Sequence, residues 1–233
     1  MKRLLPFAII LVVLGSALGA AAWYMKRGSN APGAAGAASG TDSAAARATV
    51  VNAGPGAQPP HFRGSADAAV VLEEFGDFEC PPCGQLYPIL KQIESEFGPR
   101  IKVIFREYPL TPNHAHALAA AKAAEAAGMQ GKFFEMHDLI YENQAKWKTM
   151  FDVRPEYEGY AKKIGLDIER WKKDQTSDAV DQRIFLDGTR AHGLGVQGTP
   201  TVYLNGADVE FEKLMKIESL RDLINQALSK AGK

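Results

Sequence analysis

Two patterns of apolar residues, one typical of strands and one of a helix, mark the start of the folded part of this chain. The stretches Ala69–Gly76 and Ile101–Tyr108 are apolar and rich in β-branched residues, which is typical of buried strands. Between them, apolar residues recur at intervals of four, three and four, the spacing of one helix face: Leu86, Leu90, Ile93 and Phe97. Strand, helix and strand in this order predict a right-handed parallel crossover.

Helix formers dominate the next part of the chain, from Pro112 to about His192. The predicted helices are His116–Ala127, Gly131–Tyr141, Pro155–Ile164, Asp167–Thr176 and Asp178–His192. We therefore expect a helical insertion of about 80 residues, at about 110–192, between two groups of strands.

The C-terminal part returns to strands. Thr199–Phe211 is predicted to form a hairpin, in which Asn205-Gly206 suits a type I′ turn. A last helix is predicted to begin at Ser219, a good N-cap with Asp222 three residues later. Its apolar face comprises Leu220, Leu223, Ile224, Ala227 and Leu228. The predicted fold is α/β, with a βαβ half and a ββα half separated by the insertion.

The first 27 residues have the pattern of an export segment. Two basic residues precede an uncharged apolar run from Leu4 to Tyr24, and two more follow it. The run has about 20 residues, which is enough to span a bilayer, and it predicts a retained signal anchor. Small residues around Ala20 leave a cleaved signal peptide, and hence a secreted protein, as the alternative. Both interpretations place the rest of the chain outside the cytoplasm, in the periplasm or at the cell exterior.

Residues 28–60 are predicted to be a disordered linker, because 24 of these 33 are Ala, Gly, Ser or Pro. The folded domain is then 61–233. The whole chain has 27 basic and 27 acidic residues and lacks a basic stripe, so we expect no nucleic-acid partner.

The two cysteines of the chain, Cys80 and Cys83, allow three interpretations. A disulfide staple between residues three apart closes almost no loop and would stabilise little. A structural zinc site needs four ligands, and His114 with His116 would complete the set only by coincidence of folding. We expect no metal.

A redox pair fits the surrounding residues better. Cys80 lies at the N-terminal edge of the predicted helix, where the helix dipole favours a thiolate. Cys83 lies one turn further on and can resolve a mixed disulfide. Pro81 and Pro82 occupy the first turn, where a missing N–H breaks no helical hydrogen bond, and they stiffen the redox site.

The segment FGDFECPPC (75–83) resembles the active-site segment of DsbA-like thiol:disulfide oxidoreductases, in the subgroup with an F-x-D-x-x-C-P-x-C motif. Arg106–Tyr141 resembles the helical insertion of that subgroup, and Val196–Gly206 its second signature. Pro88 matches a proline that kinks the first helix. The resemblance covers about 61–230 and implies a thioredoxin-like fold.

The resemblance also implies roles for three residues outside the cysteine motif. Pro200 would be the cis-proline that faces the disulfide, and Thr199 would precede it at a position that tunes redox behaviour; together they would bind substrate peptide. Glu74 would lie beneath the disulfide and relay protons to Cys83. Because side chains alternate along a strand, only one of Glu73 and Glu74 can face the cysteines, and we favour Glu74.

The direction of electron flow depends on what stabilises the thiolate. The dipeptide between the cysteines is Pro-Pro, so we expect no imidazole to hold the thiolate, and Asp77 and Glu79 add negative charge nearby. These features predict a pair that is less oxidising than DsbA yet able to donate disulfides. The histidines are interpreted as structural or exposed: His114, His116, His137 and His192.

The resulting hypothesis is a monomeric, membrane-tethered oxidase that introduces disulfides into reduced exported proteins. Its redox group is the Cys80–Cys83 disulfide, with no cofactor, and a DsbB-like membrane protein reoxidises it. One alternative is an isomerase or reductase that a membrane electron relay keeps reduced. Another is a non-catalytic tethered chaperone.

Overall fold

The computed structural model describes residues 53–232. The predicted anchor over 1–27 and the first part of the predicted linker lie outside the described residues. Within 53–232, no helix combines the length and the apolar character needed to cross a membrane.

A mixed five-stranded sheet forms the centre of the domain, with the order β1-β3-β2-β4-β5. The strands are β1 (His61–Gly64), β2 (Val70–Gly76), β3 (Ile101–Glu107), β4 (Thr201–Leu204) and β5 (Ala207–Asp208). Strands β2 and β3 are parallel, and the other pairs are antiparallel. The parallel pair on either side of one helix confirms the predicted βαβ unit. Asn205 and Gly206 both have positive φ, 50° and 83°, as the predicted turn requires.

The helices of the described residues follow the predicted order closely. They are α1 (Pro81–Phe97), α2 (Ala117–Gly128), α3 (Phe133–Glu142), α4 (Gln144–Trp147), α5 (Arg154–Lys163), α6 (Ile168–Asp174), α7 (Asp178–Leu194), α8 (Phe211–Leu214) and α9 (Ile217–Lys230). Helices α2–α7 form the insertion between β3 and β4, and the two single-turn helices α4 and α8 were not predicted. Pro88 lies inside α1, which continues past it.

The predicted start of the last helix is wrong. Helix α9 begins at Ile217, so Ser219 lies inside it and caps nothing. Ile217 and Met215 pack against the same apolar cluster as Leu214 and Leu220, and burial of this stretch draws the helix start upstream of the serine.

Two apolar clusters hold the layers together. In the first, the predicted face of α1 packs with the strands and with the predicted face of α9, where Leu220, Ile224 and Leu228 are buried. In the second, the alanine-rich helix α2 packs against the rest of the insertion, including the fully buried Trp147 and Trp171. The alanine side chains of α2 are small, so the large tryptophan side chains can pack in the same cluster without voids.

The domain begins earlier than the predicted boundary at residue 61. Ala53 and Ala57 are buried, and Ala57 N–H donates to Asp187 Oδ1 at 2.7 Å. Strand β1 pairs with β3 at the edge of the sheet and was also missed. The small residues that suggested a linker here permit close packing: a Cβ added at Gly193 would lie 2.8 Å from Ala53 Cα.

Two buried arginines, Arg106 of β3 and Arg190 of α7, clamp this N-terminal segment. Arg106 donates to the carbonyl oxygens of Ala57 at 2.8 Å and Pro55 at 2.9 Å, and Arg190 donates to that of Gly54. Both guanidinium groups also bind the Glu73 carboxylate at 2.7 Å. The clamp therefore neutralises a buried acid and satisfies the backbone of the entering chain at the same time.

Candidate active site

Cys80 is the N-cap residue of α1, with φ −64° and ψ 120°. Its carbonyl oxygen accepts a hydrogen bond from the Gly84 N–H at 3.2 Å, which begins the helical ladder. Pro81 and Pro82 occupy the first two helical positions, where no intrahelical donor is needed. At this position the Cys83 N–H and the helix dipole favour an anion on the Cys80 sulfur.

The two thiols have opposite environments. The pKa of Cys80 is lowered to about 6 overall: a hydrogen bond from the Cys83 thiol lowers it most, the Thr199 side chain and the Cys83 backbone also lower it, and burial and the Asp77 charge oppose them. Cys83 is completely buried, and burial raises its pKa well above the ordinary value. Cys80 is therefore the more readily ionised of the two thiols, and Cys83 is the one that stays protonated.

Thr199 and Pro200 lie against Cys80. The Thr199–Pro200 peptide bond is cis, as the resemblance implies. Thr199 O lies 3.2 Å from Cys80 Sγ, and the buried Thr199 hydroxyl has no other partner within residues 53–232, which leaves it able to donate to a Cys80 thiolate. An open groove of about 350 Å³ runs beside this loop, lined by 195–201 together with Tyr203 and Asp208.

Glu73 and Glu74 face opposite sides of β2, as alternation predicts. Glu73 binds Arg106 and Arg190, whereas Glu74 faces α1 and the cysteines. Burial raises the pKa of Glu74 to about 8, with smaller contributions from the charges of Glu94 and Cys80. A cavity of about 10 Å³ lies beside Glu74, close to the space that one water molecule requires.

Asp77 organises the loop before Cys80. Its backbone oxygen accepts from the Cys80 N–H at 3.1 Å, and its Oδ1 accepts from the Glu79 N–H at 2.8 Å. Its Oδ2 accepts from the Leu110 N–H at 2.8 Å and contacts His114 Nδ1 at 2.7 Å. The Asp77 carboxylate therefore ties the active-site loop to the segment that follows β3.

His114 and His116 lie at the edge of α2, as expected: His116 is its N-cap residue and His114 lies two residues before it. The His116 N–H donates to Glu79 Oε2 at 2.6 Å. Partial burial would lower the pKa of His114, but the hydrogen bond to Asp77 and the charges of Asp77, Cys80 and Glu79 raise it. An imidazole from the segment after β3 therefore binds the same aspartate that orders the active-site loop.

Gln144 is a site residue that the sequence did not reveal. From α4 it donates through Nε2 to the carbonyl oxygens of Phe78, at 2.7 Å, and Cys80, at 2.8 Å. Gly84 makes room for it, since a Cβ at position 84 would lie 2.4 Å from Gln144 Oε1. One buried amide thus fixes the backbone on which Cys80 sits.

Replacement of Gln144 by alanine is expected to lower the free energy of unfolding by about 1–3 kcal/mol, because the Phe78 carbonyl oxygen loses its buried side-chain donor and the Cys80 carbonyl oxygen keeps only the Gly84 N–H. Urea unfolding of the reduced protein measures the change. Gln85→Ala, at an exposed position of α1, is the matched control and is expected to change it by less than about 0.5 kcal/mol. Equal effects of the two variants would contradict the assigned role.

Comparison with known proteins identifies the family of this chain and structures with a similar fold. The thioredoxin family model matches residues 57–226. α-DsbA2 from Wolbachia pipientis, a thiol-disulfide exchange protein, superposes with a TM-score of 0.62 at 22% identity, covering 78% of this chain and 92% of that one. Oxidised BdbD from Bacillus subtilis superposes with a TM-score of 0.65 at 21% identity, covering 73% and 93%.

Relatives of higher identity are much longer proteins. A segment of Na(+)/H(+) antiporter NhaA 1 from Salinispora arenicola is 41% identical over 147 residues, which is 63% of this chain and 22% of the antiporter. The chain thus spans about a fifth of the length of these relatives.

Proposed function

Because this chain belongs to the thioredoxin family and has the fold of DsbA-like thiol:disulfide oxidoreductases, we propose that it introduces disulfides into exported proteins. The predicted resemblance and the predicted thioredoxin-like fold are confirmed, and the enzyme class that they carry is thiol:disulfide oxidoreductase. The direction of exchange, the substrates and the redox partner are the proposal.

The observation that carries the oxidase direction is the low pKa of Cys80, about 6. At neutral pH most of the reduced protein then holds a thiolate at this position. Stabilisation of the reduced form makes the disulfide a stronger oxidant, since the pair gains more free energy on accepting electrons. The acids near the motif raise the Cys80 pKa less than its hydrogen bonds lower it.

The reaction begins when a substrate thiolate attacks Cys80 Sγ in the oxidised protein. The new substrate–Cys80 bond forms as the Cys80–Cys83 bond breaks, and the leaving Cys83 thiolate takes up a proton that Glu74 supplies. The second substrate thiolate then attacks the substrate sulfur of the mixed disulfide and releases Cys80 as a thiolate. Two electrons pass from the substrate to the enzyme, and the substrate leaves with a disulfide.

Substrate recognition is proposed to use the groove beside Thr199 and Pro200. An extended peptide can pair with exposed backbone before Pro200, which offers main-chain hydrogen bonds irrespective of side-chain sequence. The open groove then holds flanking side chains of the substrate. This mode suits an enzyme that acts on many unfolded clients.

Reoxidation is proposed to come from a DsbB-like membrane protein. The N-terminal apolar segment would hold the domain outside the cytoplasm and near that partner, whereas its cleavage would release a secreted form. The oxidising environment there lets disulfides persist.

The reduction potential of the full chain in detergent micelles tests the direction. The protein is equilibrated in glutathione buffers, and free thiols are counted by alkylation, with the double variant Cys80→Ser, Cys83→Ser as the blank. A value near or above about −180 mV, the range of disulfide isomerase and DsbA, is expected for the oxidase. A value near thioredoxin, about −270 mV, would overturn the proposal and favour the reductase alternative.

A further inference from the structure

We propose that His114 is a redox-tuning residue, whose imidazolium is held by Asp77 and stabilises the Cys80 thiolate. His114 lies outside the cysteine motif, whose two central positions are Pro81 and Pro82. This inference rests on the proposed function only where it concerns the direction of electron flow. The coupling between His114 and Cys80 does not depend on that direction.

The first argument is geometric. His114 Nδ1 lies 2.7 Å from Asp77 Oδ2, and the backbone oxygen of the same aspartate accepts the Cys80 N–H. The Asp77 side chain is fully buried and fixed by the N–H groups of Glu79 and Leu110, so it cannot turn away with the imidazole. One rigid residue therefore sets the position of His114 relative to Cys80.

The second argument is electrostatic. The charged groups that act on His114 are Asp77 and Glu79, from the loop after β2, and Cys80 from the start of α1. A charge on Cys80 raises the pKa of His114, and coupling between two titrating groups is reciprocal, so an imidazolium at this position favours the thiolate of Cys80. His114 also offsets the Asp77 charge, which by itself raises the pKa of Cys80.

The sign of the pH effect follows directly. The pKa of His114 is raised above 6.5, so the imidazolium is present on the acidic side of that pKa. As pH rises through it, the thiolate loses its positive neighbour and the reduced form loses stability. The disulfide is therefore a relatively stronger oxidant on the acidic side.

The proposal is tested first in the wild-type chain, so that folding of a variant is not at issue. The imidazole of His114 is titrated by NMR in the reduced and the oxidised protein, in detergent micelles. We expect a higher pKa in the reduced protein, where the thiolate is present, and a difference that shrinks in 1 M salt. The exposed His192 provides the internal control.

Two variants extend the test to Cys80, whose thiolate is followed by ultraviolet absorbance. His114→Gln is expected to decrease the acid dissociation constant of Cys80 about three- to tenfold, and to shift the glutathione equilibrium towards the enzyme disulfide by the same factor. His114→Lys keeps a positive charge and is expected to restore both values. His192→Gln is expected to change neither.

Equal His114 pKa values in the two redox forms, or an unchanged Cys80 titration in a folded His114→Gln protein, would overturn the proposal. His114 would then only hold the loop in place. Failure of the oxidase proposal is distinguishable, because a reducing potential of the wild-type protein leaves the His114–Cys80 coupling intact and measurable.

Discussion

Replacement of Cys83 by serine is expected to turn the protein into a trap that accumulates mixed disulfides with its substrates. Cys80 keeps its place at the start of α1, and its thiolate can attack a disulfide of an oxidised substrate, which forms the mixed disulfide and releases the second substrate sulfur as a thiolate. The Cys83 thiol, which would cleave this mixed disulfide by closing the Cys80–Cys83 bond, is gone. Cys80→Ser is expected to abolish oxidation of a reduced dithiol substrate, because Cys83 is completely buried and its pKa is raised well above the ordinary value.

Non-reducing electrophoresis after acid quenching measures the trapped species. The oxidase rate is measured as the recovery of activity by a reduced, unfolded substrate protein whose native form requires disulfides. The double variant Cys80→Ser with Cys83→Ser is the blank for both assays. Retention of more than about a tenth of the wild-type rate by Cys80→Ser would contradict the assignment of Cys80 as the nucleophile.

Replacement of Glu74 by glutamine is expected to raise the free energy of unfolding of the reduced protein by about 3 kcal/mol at pH 7. The pKa of Glu74 is about 8 in the folded protein against an ordinary value of 4.5, so the folded state retains a proton that the unfolded state has lost. Stability therefore falls as pH rises between about 4.5 and about 8, by about 1.4 kcal/mol per unit. Glutamine resembles the protonated carboxyl and removes this decline.

Urea unfolding between pH 5 and pH 8 measures the effect as a change in slope. Glu73→Gln is the matched control: burial alone would raise the pKa of Glu73, but Arg190 and Arg106 lower it. Glu73 thus stabilises the fold at any pH above the ordinary pKa of a glutamate, and its replacement is expected to lower the free energy of unfolding at pH 7. The prediction would be contradicted if the stability of Glu74→Gln declined with pH as steeply as that of the wild type, or if both variants changed the free energy of unfolding at pH 7 in the same direction.

Sequence reasoning succeeded where the signal is local. Cys80, Pro81 and Pro82 mark a helix start with neighbouring residues alone, and alternation along one strand is enough to separate Glu73 from Glu74. Amphipathic spacing likewise located α1 and the apolar face of α9. Each of these inferences needs only a few consecutive residues.

The residues that escaped prediction act across long stretches of chain. Gln144 binds the Cys80 carbonyl from 64 residues away, and His114 reaches Asp77 from 37 residues away. No periodicity encodes such contacts, since they depend on how the insertion packs on the sheet. The prediction of a disordered linker was wrong for residues 53–60 for a related reason. Their alanines and glycines suggest disorder, but Arg106 and Arg190 supply hydrogen-bond partners for this backbone.

The arginine clamp also sets the limit for shortening this protein. A fragment that begins at residue 53 keeps the carbonyl groups of Gly54, Pro55 and Ala57, so both guanidinium groups keep their backbone hydrogen-bond acceptors. A fragment that begins at the composition boundary, residue 61, leaves two buried cations short of acceptors and uncovers one end of the sheet. The safe place to cut, for crystallisation or for grafting the enzyme onto another carrier, therefore lies upstream of Ala53.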